Sequence, residues 1–169
     1  MSISMYDATV PVLLRGLTVA ATYLDKAEAY AVEKNIDPSV LLNARLALDM
    51  QPLSAQVQRI SDGAKGAIAR LTDIEVPSFP DTETTFPELK ERVAKTIALL
   101  KAVTPQQMEG GESRTTELKF RGATKTLRGD IFVLHFLLPN FFFHVTTLHD
   151  ILRHNGMPVG KRDYLGNYE

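Results

Sequence analysis

Two polar residues in this sequence fall beside apolar seams when the chain is wound at about 100° per residue: Asp49 and His144. A carboxylate at the rim of an apolar face needs a nearby cation or hydrogen-bond donors. Arg45, one turn earlier, offers that cation, and Gln56 shares the flank. An imidazole inside an apolar stripe must satisfy two ring nitrogens. His144 stands in a seam with Phe141, Leu148, Ile151 and Leu152, and Asn140 lies one turn before it. Each feature has two readings. Arg45 and Asp49 form either an ordinary intrahelical pair or one half of a site. His144 is either a buried histidine bonded to a carboxylate or carbonyl, or a ligand or proton-transfer group facing the bundle interior. Taken together, Arg45, Asp49, Asn140 and His144 outline a candidate pocket for a small molecule, with acid–base chemistry as the available reaction type. No single residue is assigned a catalytic role.

Other chemistries lack their residues. The chain has no cysteine, which removes disulfides, thiolate metal sites and a cysteine nucleophile, and suits a reducing cytosol. All four histidines, His135, His144, His149 and His154, fall in the final helical pattern, and no two are four residues apart. Zinc needs at least three converging protein ligands, so no metal ligand set and no cofactor are predicted. Gly156, Gly160 and Lys161 have the wrong spacing for a phosphate loop, with no Ser or Thr after the lysine. No Gly-x-Ser-x-Gly elbow is present. Nineteen basic against 20 acidic residues leave a net charge of -1, which disfavours nucleic-acid binding.

Four long helical patterns have to position these residues. Ser4-x-x-Asp7 caps a first helix reaching about Lys34, with Pro11 tolerated near its start. Asp37-Pro38 opens a second that carries Leu46, Met50, Leu53, Val57, Ile60, Ala64, Ala67 and Leu71, bent at Pro52. Gly63 and Gly66 either weaken it or admit a neighbouring helix. A long connection over 73–85 precedes a capping box, Thr85-x-x-Glu88, and a third helix to about Ala102. Residues 115–128 alternate and are split by Gly122, which predicts a small hairpin. The last helix runs from about Asp130 to His154, kinked at Pro139 and stopped by Asn155-Gly156, with a polar tail after it. The expected architecture is a single all-α domain over 1–169, a four-helix bundle with a long crossover and a hairpin before the last helix.

The apolar run from Ile131 through Phe143 is interrupted by His135, Pro139 and Asn140 and falls short of the roughly 20 residues a bilayer requires. The N-terminal stretch has no basic leader. A cytoplasmic protein without membrane contact is expected. Phe132, Phe136 and Phe143 line a second apolar face, to be covered by the hairpin and tail or by a second copy, so a homodimer is expected.

Several phrases in order carry a family resemblance. They include Met5-Tyr6-Asp7-Ala8, Leu14-Arg15-Gly16-Leu17, Ile36-Asp37-Pro38 and Leu41-Leu42-Asn43-Ala44-Arg45-Leu46. Glu83-Thr84-Thr85-Phe86, Leu138-Pro139-Asn140-Phe141, Phe143-His144-Val145-Thr146-Thr147 and the closing Gly160-Lys161-Arg162-Asp163-Tyr164-Leu165-Gly166 continue the series. Over nearly its whole length the chain resembles a bacterial family called domain of unknown function number nineteen ninety-three, which is similar to the DinB/YfiT-like bundles. That resemblance implies four helices, often a dimer, and a superfamily of metalloenzymes. Some related transferases hold a metal with three histidines, one on the second helix and a pair on the last. Here the second helix offers Asp49 and no histidine, and the last lacks a histidine pair spaced by four. The function expected is therefore a non-catalytic or small-ligand-binding homodimer, with a metal-dependent or acid–base enzyme at Asp49 and His144 as the alternative.

Overall fold

The computed structural model describes residues 3–120 and 122–166, Phe120 by its backbone alone. Ser4 caps helix α1 (Met5–Glu33) by accepting from the Asp7 amide at 3.1 Å, while the Asp7 carboxylate accepts from the Ser4 amide and hydroxyl. Val10, Leu13, Leu17, Ala20, Leu24, Ala27 and Ala31 recur every three or four residues and are all buried. Thr85 caps helix α4 (Phe86–Lys101) in the same reciprocal way, with Glu88 reaching back to the Thr84 and Thr85 amides.

The expected second helix is not continuous. It divides into helix α2 (Pro38–Leu42) and helix α3 (Leu53–Leu71), separated by a loop over 43–52. Pro52 has no amide hydrogen to continue a ladder and disfavours a helical Gln51 before it, so it starts a helix where the sequence pattern read a bend. Asn43 closes α2 by donating to the Ser39 carbonyl at 2.8 Å, and the Leu53 amide reaches back to the Ala44 carbonyl at 2.9 Å. Leu46, counted as part of the apolar seam, is exposed in this loop, and Leu48 is wholly so.

Helices α1, α4, α3 and α6 (Leu138–His154) form the four-helix bundle, each packed on the next in that order around the core. Phe141 of α6 is at its centre, fully buried, with Gly16 of α1 against one edge of its ring and Gly63 of α3 beside the other. Strands β1 (Thr115–Phe120) and β2 (Ala123–Arg128) pair antiparallel, Thr115 opposite Arg128 and Phe120 opposite Ala123, and Gly122 turns between them at φ 88°. This is the expected hairpin.

Helix α5 (Gly129–Phe132) leads through a π-helical turn, Val133–Leu137, into α6. The turn lies directly before Pro139, whose missing amide hydrogen deprives the His135 carbonyl of its helical donor. The whole run Gly129–His154 is long and apolar enough by length and composition to cross a membrane, contrary to the count made from sequence. In this fold, Phe132, Phe141, Val145, Leu148, Ile151 and Leu152 from that run are buried in the bundle.

The expected polar tail docks instead of trailing. Met157 and Val159 are buried, and helix α7 (Lys161–Leu165) lies along α1. Arg15 donates to the Leu165 carbonyl at 2.7 Å, Lys26 pairs with Asp163, and the Tyr164 and Thr146 hydroxyls meet at 3.0 Å.

Candidate functional site

Of the four residues proposed from sequence, two lie where α3 faces α6 and two do not. Asp49 is exposed in the 43–52 loop and makes no hydrogen bond or ion pair among the described residues. Arg45, in the same loop, donates to the Met50 carbonyl rather than to Asp49. The helical spacing that set Asp49 on a seam required a helix that Pro52 interrupts, so the hollow expected between Asp49 and His144 does not form.

His144 does face a polar partner. Its Nδ1 stands 2.7 Å from Oε1 of Gln56, a residue of α3 that is almost fully buried. The Gln56 amide nitrogen donates to the Gln51 carbonyl at 2.9 Å. That second bond fixes the amide's orientation, since a carbonyl can only accept. Gln56 Oε1 is therefore the acceptor and His144 Nδ1 the donor. Burial, and secondly the charge of Arg59, hold the His144 imidazole below its ordinary pKa. The ring is thus neutral near pH 7, protonated on Nδ1, with its Nε2 lone pair free of any protein partner among the described residues.

One turn from His144, Asn140 lines a cleft of about 240 Å³. Arg59, Asp62, Gly63 and Arg70 of α3 form one wall, and Phe132, Phe136 and Leu137 another. Leu118 and Lys119 of β1 close the side, so the hairpin helps cover the Phe132–Phe136 face. Arg70 lies over the Phe132 ring, 5.8 Å from its centroid. A larger groove, about 690 Å³, opens at the start of α1 among Met5, Tyr6, Pro105, Met108, Val133 and Leu134. Its polar residues are mainly carboxylates, of which Asp130 is paired with Arg128.

The family model described as "Domain of unknown function (DUF1993)" matches residues 5–165. The chain belongs to the DUF1993 family. Its fold is similar to the crystal structure of a DinB family member protein from Shewanella denitrificans, at 40% identity and a TM-score of 0.90, covering 96% of this chain and 92% of that one. No curated protein matches it.

The DinB-like resemblance implies a metal held between the second long helix and the last. In this DUF1993 chain the donors at that place do not fit one. Gln56 contributes a neutral amide already bonded to His144, and Asn140, four residues before His144, contributes another. Among the described residues no group of three His, Cys, Asp or Glu is placed to hold a metal ion. A single imidazole and two amides beside an arginine make a poor cation site.

Two polar assemblies escaped the sequence reading. Arg92 of α4, its side chain 1% exposed, holds Asp62 at 2.7 Å, Glu83 at 2.8 Å, Asp81 at 3.0 Å and the Pro80 carbonyl at 3.1 Å. Lys65 joins this cluster through the Pro77 carbonyl at 3.2 Å and the Phe79 ring, 3.9 Å from its centroid. The cluster pins the crossover to α3 and α4. On the opposite side of the bundle, the buried Tyr23 hydroxyl meets His149 Nδ1 at 2.6 Å, and Tyr164 of α7 stacks edge-on against that histidine. Burial, and then the charge of Asp163, raise the Tyr23 phenol above its ordinary pKa, so it stays protonated.

Proposed function

We propose that this DUF1993 protein is a small-ligand-binding bundle without a transition-metal centre, its ligand seated in the cleft lined by Asn140, one turn before His144. The supporting observation is the Gln56–His144 hydrogen bond, which uses the one well-placed imidazole as a donor to a protein amide and leaves it neutral. One turn along α6, at Asn140, opens a concave, partly aromatic cleft with a few polar groups, the usual form of a small-molecule site. The acid–base enzyme alternative loses its geometric basis, since Asp49 is on an exposed loop.

Two measurements test this reading. Elemental analysis of the purified protein is expected to find zinc and nickel well below one atom per chain. One tightly held metal per chain would restore the metalloenzyme alternative. A library of small organic molecules screened by amide chemical shifts is expected to give binders that perturb Leu118, Leu137 and Asn140. Binders gathered in the groove by Met5 and Met108 would move the site there, and the cleft would lose its role.

A second element of the proposal is self-association. Ile131, Leu134 and Phe143 are large apolar residues left 40%, 57% and 56% exposed on the α5–α6 side, which favours a second copy of the chain as a partner.

A further inference from the structure

The cleft beside Asn140 has a charge of definite sign. Arg59, Arg70 and Lys119 line it against a single carboxylate, Asp62. That carboxylate is already shared by Arg92 at 2.7 Å, Arg59 at 3.4 Å and Lys65 at 3.6 Å. Arg59 is also committed to Asp81 at 2.8 Å. Arg70, by contrast, donates only to the Gly66 carbonyl of its own helix at 2.8 Å, and Lys119 makes no ion pair among the described residues. Two cations without a counter-charge therefore border the cleft, and the Asn140 amide adds a neutral donor. The remaining wall is apolar: Leu118, Leu137, Phe132 and the less deeply buried Phe136.

We propose that this cleft binds a small organic carboxylate carrying one apolar ring, its anion held by Arg70 and Lys119 with Asn140, its ring along the apolar wall that includes Phe136. At about 240 Å³ the cleft is smaller than the roughly 300–1,000 Å³ of sites for drug-sized ligands, which limits the body to a single ring. Arg is suited to the role because its planar fork can grip a carboxylate in bidentate fashion while its face stays on an aromatic ring. The inference rests on the small-ligand reading above and specifies its ligand class.

The test uses the full chain and benzoate as probe, with benzamide as its neutral counterpart, benzylamine as a cation and inorganic phosphate as a ringless anion. Amide shifts followed through titration are expected to saturate with benzoate in the millimolar range at Asn140 and Lys119. Benzamide and benzylamine should bind roughly tenfold more weakly or not at all. An Arg70→Gln/Lys119→Gln variant, both side chains being exposed, should keep its melting temperature and lose roughly tenfold in benzoate affinity. Benzamide binding as well as benzoate would remove the anion while leaving the cleft as a ligand site. Phosphate binding more tightly than benzoate would replace the organic acid with a bare oxyanion and so overturn the proposal. If no probe moves the cleft's amides, the small-ligand reading fails along with it.

Discussion

A Cβ on Gly16 would stand 2.3 Å from Phe141 Cε1 and 2.8 Å from its Cζ, distances that real side chains do not reach. The ring has little room to yield, being fully buried with Gly63 on its other side. Two effects oppose each other when Gly16 becomes alanine. Helix propensity favours the change by about 1 kcal/mol, and overpacking opposes it by about 1–3 kcal/mol. The clash should win, so Gly16→Ala is expected to lower the urea midpoint at an unchanged m-value. A Cβ on Gly63 would meet the same ring at an ordinary 3.8 Å. Gly63→Ala should therefore keep the propensity gain and raise the midpoint. Equal effects at the two positions would show that Phe141 is not wedged between these helices. Which glycine admits the aromatic was not legible in the sequence. Gly63 was singled out by its place in a helical pattern, but a contact with a ring 125 residues from Gly16 depends on the tertiary fold. The same limit applied to His144. Its place in an apolar stripe showed that it needs a polar partner, while the choice of Gln56 over Asp49 was settled by a helix break.

The crossover between α3 and α4 is held by charge more than by hydrocarbon. Among the described residues, Arg92 is the one buried cation that touches Asp62, Asp81 and Glu83 together. Removing it leaves Asp62 and Asp81 to Arg59 and Lys65, but leaves Glu83, the most buried of the three at 12% exposed, with the neutral Gln58 amide in place of a cation. Arg92→Ala is expected to cost about 2–4 kcal/mol in denaturant unfolding, the lower part of that range reflecting the partial exposure of Asp62 and Asp81. The pH dependence has a fixed sign. Burial alone would raise the Glu83 carboxyl, but hydrogen bonds from Arg92 and Gln58 outweigh it and hold the group below its ordinary pKa. A carboxyl whose folded pKa is lowered stabilises the protein fully above its unfolded pKa. That contribution is lost as pH falls through the folded value. Stability should thus decline below about pH 5, and Glu83→Gln should flatten part of that decline. An unaltered acid limb in Glu83→Gln would mean that other carboxylates carry it. Elements with local signals were legible beforehand: the capping boxes at Ser4 and Thr85, the hairpin around Gly122, and the stop at Asn155-Gly156. The 43–52 break and the docking of α7 were not. Leu46 and Met50 kept the helical rhythm through a loop, and the contacts that hold α7 come mostly from polar side chains meeting distant partners.

At the scale of the whole molecule, the bundle buries one face of its last helical run and leaves part of the other uncovered. Phe132 lies beside the hairpin and is 2% exposed, while Phe143 is left 56% exposed. Ile131 and Leu134 are also exposed, and Leu134 lines the groove at the start of α1. Exposed aromatic and aliphatic side chains are typical anchors of an interface, whose stable forms bury about 800 Å² on each partner. A symmetric pair of chains would cover this face with itself. Sedimentation equilibrium is expected to give twice the 18.8 kDa of the chain. A Leu134→Glu/Phe143→Glu variant should return a single species of one chain, because two new carboxylates on a self-complementary face would confront their own copies. Both side chains are largely exposed, so the variant should melt as a folded monomer. If the unaltered protein sediments as one chain at tens of micromolar, the apolar face is not a self-contact. If the variant stays dimeric, the chains meet elsewhere on the bundle.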